Sequence, residues 1–217
     1  MYEWLIVNNK DYRFLLGMHL FTEYVAKPLG MEKTCFLPDE INDFVNSNLR
    51  EEEKGLVNDY NCRFLGGVAG NAGLFSNMND ICKYIEMLQN YGEPIISRKV
   101  FKQAIENYTP DMSVSRGWGF LYVDRKYLQT GKLFPEGSIG HCGHTGQSVF
   151  VDINSGLYAV ILSDATISVA RKNGHEKYDV VMKMREDIHN AIYEDLRMED
   201  RRYKSKCIGN LRTVCRL

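Results

Sequence analysis

Nowhere in its 217 residues does this chain hold an apolar run approaching the roughly 20 residues that a membrane-spanning helix needs. It also lacks charge of a dominant sign. Twenty-seven Lys and Arg stand against 28 Asp and Glu, a formal −1, which argues against a surface dedicated to nucleic acid or to an anionic membrane. Its six cysteines (Cys35, Cys62, Cys82, Cys142, Cys207, Cys215) include no Cys-x-x-Cys pair. Their scatter reads as reduced structural thiols rather than a disulfide framework. The opening Met1-Tyr2-Glu3-Trp4 has neither the charged leader nor the cleavage site of a signal peptide, so the chain as it stands reads as cytoplasmic.

What is present is ordinary globular material: 44% apolar and 25% charged residues. The length suits one domain with a sizeable core. The charge is unevenly placed. From Arg197 to Leu217 seven Lys and Arg face two Asp and Glu, so this end carries +5 and the remainder −6. Residues 197–217 therefore read as a basic, poorly ordered tail on a domain formed by 1–196.

Periodicity supplies the elements. Phe21, Tyr24 and Val25 share a helical face, and Pro28 with Gly30 ends that helix. Asp39 to Gly55 is polar and reads as a solvated excursion. Ser76 is a natural N-cap with Asp80 in the first turn. Ile81, Tyr84, Ile85 and Leu88 then follow i, i+3, i+4, i+7 to an end near Tyr91-Gly92. A further helix is expected after Ser97, and Trp118 to Val123 has strand character. Val149 to Asp152 and Leu157 to Ser163 flank Asn154-Ser155-Gly156 as a hairpin. Val181, Met184, Ile188, Ala191 and Ile192 then form one face of a long terminal helix. Antiparallel strands packed by such helices make an α/β layer.

Two glycine-rich segments carry the chemistry: Leu65-Gly66-Gly67-Val68-Ala69-Gly70-Asn71-Ala72-Gly73-Leu74-Phe75-Ser76, and Gly140-His141-Cys142-Gly143-His144-Thr145-Gly146-Gln147-Ser148. Glycines let a backbone approach a ligand closely, so a polar, glycine-rich strand leading into Val149-Phe150-Val151 suits a site edge. Taken with Pro28-Leu29-Gly30-Met31, Thr34 and Arg116-Gly117-Trp118-Gly119 in that order, these segments resemble the β-lactamase-related serine hydrolases. That group takes in class C β-lactamases, D-alanyl-D-alanine peptidases and esterases. The resemblance spans roughly residues 12 to 196. It implies an α/β fold with a β-lactamase/transpeptidase-like antiparallel sheet packed by helices, here incomplete, with 1–196 as the C-terminal portion of such a domain.

The resemblance also implies a site. His141-Cys142-Gly143 matches the strand that lines it, with Cys142 where the family more often has Thr. The backbone N–H of His144 falls where the strand contributes an oxyanion donor. No serine here has Lys three residues on; Ser47 and Ser168 are followed by Arg50 and Arg171, and arginine cannot act as a base. Tyr-x-Asp occurs at Tyr122 and Tyr193, in the wrong elements, and Lys10 reads as a solvated surface lysine. A serine hydroxyl needs a neighbour to take its proton, so the expectation is a hydrolase of esters, β-lactams or peptide-like amides whose nucleophile-bearing segment lies upstream. The alternative is an inactive remnant or accessory binding domain of the same fold. Either way, self-association through an exposed apolar surface is expected.

Other motifs fail on their spacing. His141, Cys142 and His144 have no fourth ligand at a useful distance, so no metal is expected. Gly146-Gln147-Ser148-Val149-Phe150 lacks the last glycine of a nucleophile elbow. His175-Glu176 lacks the second histidine of a zinc-protease helix. No Gly-Lys-Ser/Thr closes the run from Gly66 to Gly73, so it is not a phosphate loop and no cofactor is expected.

Overall fold

The computed structural model describes residues 17–39, 45–46, 51–124, 130–163 and 176–203, without the side chains of 51, 176–179 and 197–203. Lys10, His175, residues 40–44 and 47–50 of the excursion from Asp39 to Gly55, Cys207 and Cys215 lie outside the described residues.

A π-turn, Thr22–Ala26, runs into helix α1, Lys27–Leu29. Gly30 closes it in the left-handed conformation (φ 64°), its N–H on the Lys27 carbonyl. Tyr24, expected on the apolar face, is exposed; Ala26 takes the buried place. Strand β1 (Cys35–Phe36) pairs antiparallel with β2 (Leu74–Phe75), and the short α2 (Tyr60–Phe64) between them is capped by Asp59, which accepts from the Cys62 N–H.

Helix α3 (Met78–Gln89) starts one residue later than the sequence implied. Its cap is Asn77, whose side chain accepts from the Asp80 N–H. Ser76 is drawn away, its hydroxyl 2.7 Å from that of Thr34. Asp80 explains why. Only 2% exposed, its carboxylate accepts from the Lys33 N–H (2.7 Å) and the Thr34 hydroxyl (2.9 Å), with Lys83 Nζ 3.3 Å away. This network ties the loop after α1 to the first turn of α3. Helix α4 (Arg98–Ala104) begins at Ser97, its expected cap.

Four strands follow: β3 (Leu121–Tyr122), β4 (Ile139–Cys142), β5 (Ser148–Val151) and β6 (Tyr158–Ile161). They form an antiparallel sheet in chain order, with Ile139 opposite Val151 and Phe150 opposite Ala159. The strand expected from Trp118 to Val123 shrinks to the two residues of β3. The β5–β6 hairpin turns where expected, because Asp152 takes the N–H groups of Asn154 and Ser155. Alternation divides the sheet. Ile139, Val149, Val151 and Val160 pack on Ile85 and Leu88 of α3 and Phe101 of α4. Leu121, Phe150 and Ala159 pack on the other face, against Phe134 and the terminal helix α5 (Glu176–Tyr203). Fully burying one such aliphatic or aromatic side chain contributes about 1.5–3 kcal/mol.

Helix α5 sits differently from the expectation. Val181, Arg185 and His189 are its buried stripe and Ile192 packs against the second core, whereas Ile188 is exposed. The helix faces open backbone carbonyls as well as apolar rings, so two polar side chains occupy its inner face. The boundary expected at 196/197 falls within this helix. No helix among the described residues is long and apolar enough to cross a membrane. Cys35, Cys62, Cys82 and Cys142 are free thiols.

Candidate active site at the end of strand β4

Strand β3 pairs with β4 only at Gly140 and Ile139. His141 and Cys142 therefore continue beyond it, held by β5 on one edge alone through Val149 and Ser148. Gly140 is not a matter of space for a ligand. A Cβ there would collide with the Val149 carbonyl and the Phe150 ring, so the residue lets two strands and a core aromatic close up. His141, next in line, shares the face of Ile139 and Val149 but extends past the helices and is exposed.

The partners of His141 assign its tautomer. Nδ1 lies 2.9 Å from the Cys142 carbonyl, which can only accept, so Nδ1 carries the proton. Nε2 is left as an acceptor, 3.5 Å from Arg116 Nη1. Arg116 arrives through the tight turn before β3, where it bridges to Leu121. Behind it the rings of Tyr108 and Trp118 stack, centroids 6.0 Å apart, and both are exposed.

Cys142 points to the opposite face, toward α5. Burial pushes its thiol up to about 11, with the Arg185 charge pulling it back down, so it stays protonated near neutral pH and is no nucleophile. Gly143 opens the β4–β5 turn, its N–H on the Gln147 carbonyl at 2.8 Å, and Gly146, at φ 101°, takes a conformation suited to glycine. His144 is exposed within this turn. The structure thus brings His141, Gly143 and His144 together on one strand end.

Two buried neighbours of this turn went unread in the sequence. Arg185, 4% exposed, donates Nε to the Gly146 carbonyl (3.0 Å) and Nη2 to those of Gln147 (3.0 Å) and Gly143. His189, fully buried between Phe134 and Phe150, lies 3.2 Å by Nε2 from the Ser148 hydroxyl. Burial first and the Arg185 charge second push this imidazole down to about 4, so it is neutral. Ser148 is 1% exposed, and a serine–histidine pair sealed from solvent meets no substrate. Their signal was the spacing Val181, Arg185, His189: one residue per helical turn.

A family model described as Beta-lactamase matches residues 19–180. Two proteins provisionally named D-alanyl-D-alanine carboxypeptidase, from Escherichia coli O157:H7 and strain K12, are 27% and 26% identical over 166 residues. Each alignment takes in 65% of this chain and 38% of the relative, so the chain spans well under half their length. Among solved structures, a β-lactamase from Mycobacterium bovis superposes with a TM-score of 0.55 at 20% identity, over 82% of this chain and 56% of the other. A mutant of simvastatin synthase from Aspergillus terreus gives 0.60 at 14%, over 83% and 51%. These likenesses show the fold.

Proposed function

The chain belongs to the β-lactamase family, and from that premise we propose that it supplies the strand-and-turn half of a serine-hydrolase site acting on an ester, a β-lactam or a peptide-like amide. In this reading His141 lines the site, Gly143 leaves room for the Gln147 side chain to fold over the strand end, and the backbone N–H of His144 donates to the oxyanion. A serine hydroxyl attacks the substrate carbonyl and loses its proton to a neighbouring base. The leaving group departs protonated, and water then hydrolyses the acyl-serine. The nucleophile belongs to a Ser-x-x-Lys segment outside this sequence. Loss of one oxyanion donor typically lowers turnover about a hundredfold or more, which gives the His144 amide its weight.

The observation that carries the reading is the placement of His141. It is exposed, at a strand end free of β3, and its tautomer leaves Nε2 facing Arg116. The absence of Ser-x-x-Lys supports a second reading, an inactive remnant or accessory binding domain. The purified chain is incubated with nitrocefin, p-nitrophenyl butyrate and a fluorophosphonate probe, alone and extended by any upstream reading frame containing Ser-x-x-Lys. Turnover and single-serine labelling only in the extended form support the proposal. Labelling of the 217-residue chain refutes the placement of the nucleophile, and inertness of both favours the second reading.

A further inference from the structure

We propose that Arg185 is a positioning residue that orients the Gly143–His144 peptide, turning the His144 N–H away from α5 and toward the side where His141 stands. Its purpose rests on the hydrolase reading above; its geometry does not. A trans peptide is planar, with the carbonyl of one residue and the N–H of the next pointing in opposite directions. Arg185 draws the Gly143 carbonyl inward to its Nη2, so the His144 N–H points outward. The same guanidinium takes the Gly146 and Gln147 carbonyls, so three acceptors of one five-residue turn converge on one fork.

The sequence of the turn explains why it needs holding. Gly143 and Gly146 have no side chains to fix their peptides; the turn's own backbone contributes the Gly143 N–H to Gln147 carbonyl and Gly146 N–H to Gly143 carbonyl bonds. Glycine peptides flip at little steric cost. One turn along α5, His189 holds the Ser148 hydroxyl where β5 begins. The helix thus grips the loop and its exit together. A rigid planar fork can serve three carbonyls at once, where lysine presents a single point of charge.

The test compares the wild-type chain with Arg185→Met and Arg185→Lys by amide hydrogen exchange resolved by NMR. Exchange at the hydrogen-bonded Gly143 and Gly146 amides is expected to rise about tenfold or more in Arg185→Met, with Arg185→Lys between, while Ile85 to Leu88 of α3 keep wild-type protection. Equal acceleration in α3 and the turn would mean that Arg185 only stabilises the fold, and unchanged exchange in the turn would mean that it holds nothing; either overturns the proposal. If Arg185→Met fails to fold, Arg185→Lys decides by the same comparison. In the form that turns over p-nitrophenyl butyrate, Arg185→Met is expected to lower kcat about a hundredfold with little change in KM. If neither form turns over ester, the hydrolase reading fails and the exchange data still decide whether Arg185 holds the turn.

Discussion

The sharpest quantitative consequence of the fold is acid instability centred on His189. The imidazole is fully buried between two phenylalanine rings, near Arg185, and is held neutral, its pKa lowered from 6.5 to about 4. Above pH 6.5 both the folded and the unfolded chain carry it neutral, and it contributes no pH dependence. Between pH 6.5 and 4 the unfolded chain binds a proton that the folded chain refuses, so stability falls with falling pH by up to about 1.4 kcal/mol per unit. Below about 4 both states are protonated and the loss levels off at roughly 3 kcal/mol, about 6–12 °C in Tm for a domain of this size. The assay is urea unfolding at half-unit steps from pH 7.5 to 3.5, on the wild type and on His189→Gln. Glutamine does not titrate and keeps a polar group near Ser148, so its profile should be flatter than that of the wild type across the window. The wild-type His189 ring resonance, identified by its loss in the variant, should hold its chemical shift until about pH 4. Parallel stability profiles from pH 6.5 to 4.5, or a ring that titrates near 6.5, would refute the reasoning.

Three further outcomes follow from single sites. Asp80→Ala removes a buried acceptor from the Lys33 N–H and the Thr34 hydroxyl and should cost about 2–4 kcal/mol in urea unfolding, whereas a loss below 0.5 kcal/mol would show the network to be incidental. Burial pushes the Asp80 carboxyl up, but its hydrogen bonds prevail and hold it below 3.8, so its share of stability is lost as pH falls from 3.8 through that lowered value. Gly140→Ala should destabilise by about 2 kcal/mol or more, because Val149 and Phe150 must yield, and a neutral effect would mean the strands are looser than they look. Cys142 should resist iodoacetamide at pH 7.5 by peptide mapping and label readily in urea, because its thiol titrates at about 11; native labelling at the unfolded rate would contradict its burial.

Much of the fold was legible because it follows from local rules. The Ser97 cap, the left-handed Gly30 and the Asp152 turn each depend on one residue acting within a few positions of itself. The errors fall where a distant partner intervenes. Ser76 looked like the cap of α3, and Asn77 has that place because Thr34, 42 residues back in the chain, claims the serine hydroxyl. Trp118 looked like strand, yet its N–H goes to the Ala104 carbonyl and its ring to Tyr108. No window of a dozen residues holds both Ser76 and Thr34, or both Trp118 and Ala104.

The candidate site divides along the same line. His141, Gly143 and His144 were readable because they adjoin one another and glycine punctuates them. Arg185 and His189 were not, because hydrophobic periodicity gives an inward place to Met184 and Ile188 and an outward one to any charge. That rule assumes a helix packs on side chains. Helix α5 packs on a glycine-rich turn, whose exposed chemistry is carbonyl oxygen, and the inner stripe becomes cationic and polar to match. A long helix that follows a glycine-rich strand end and carries an arginine one turn after a buried valine should therefore be read for its polar stripe first. In this chain that stripe holds the turn from which His144 projects.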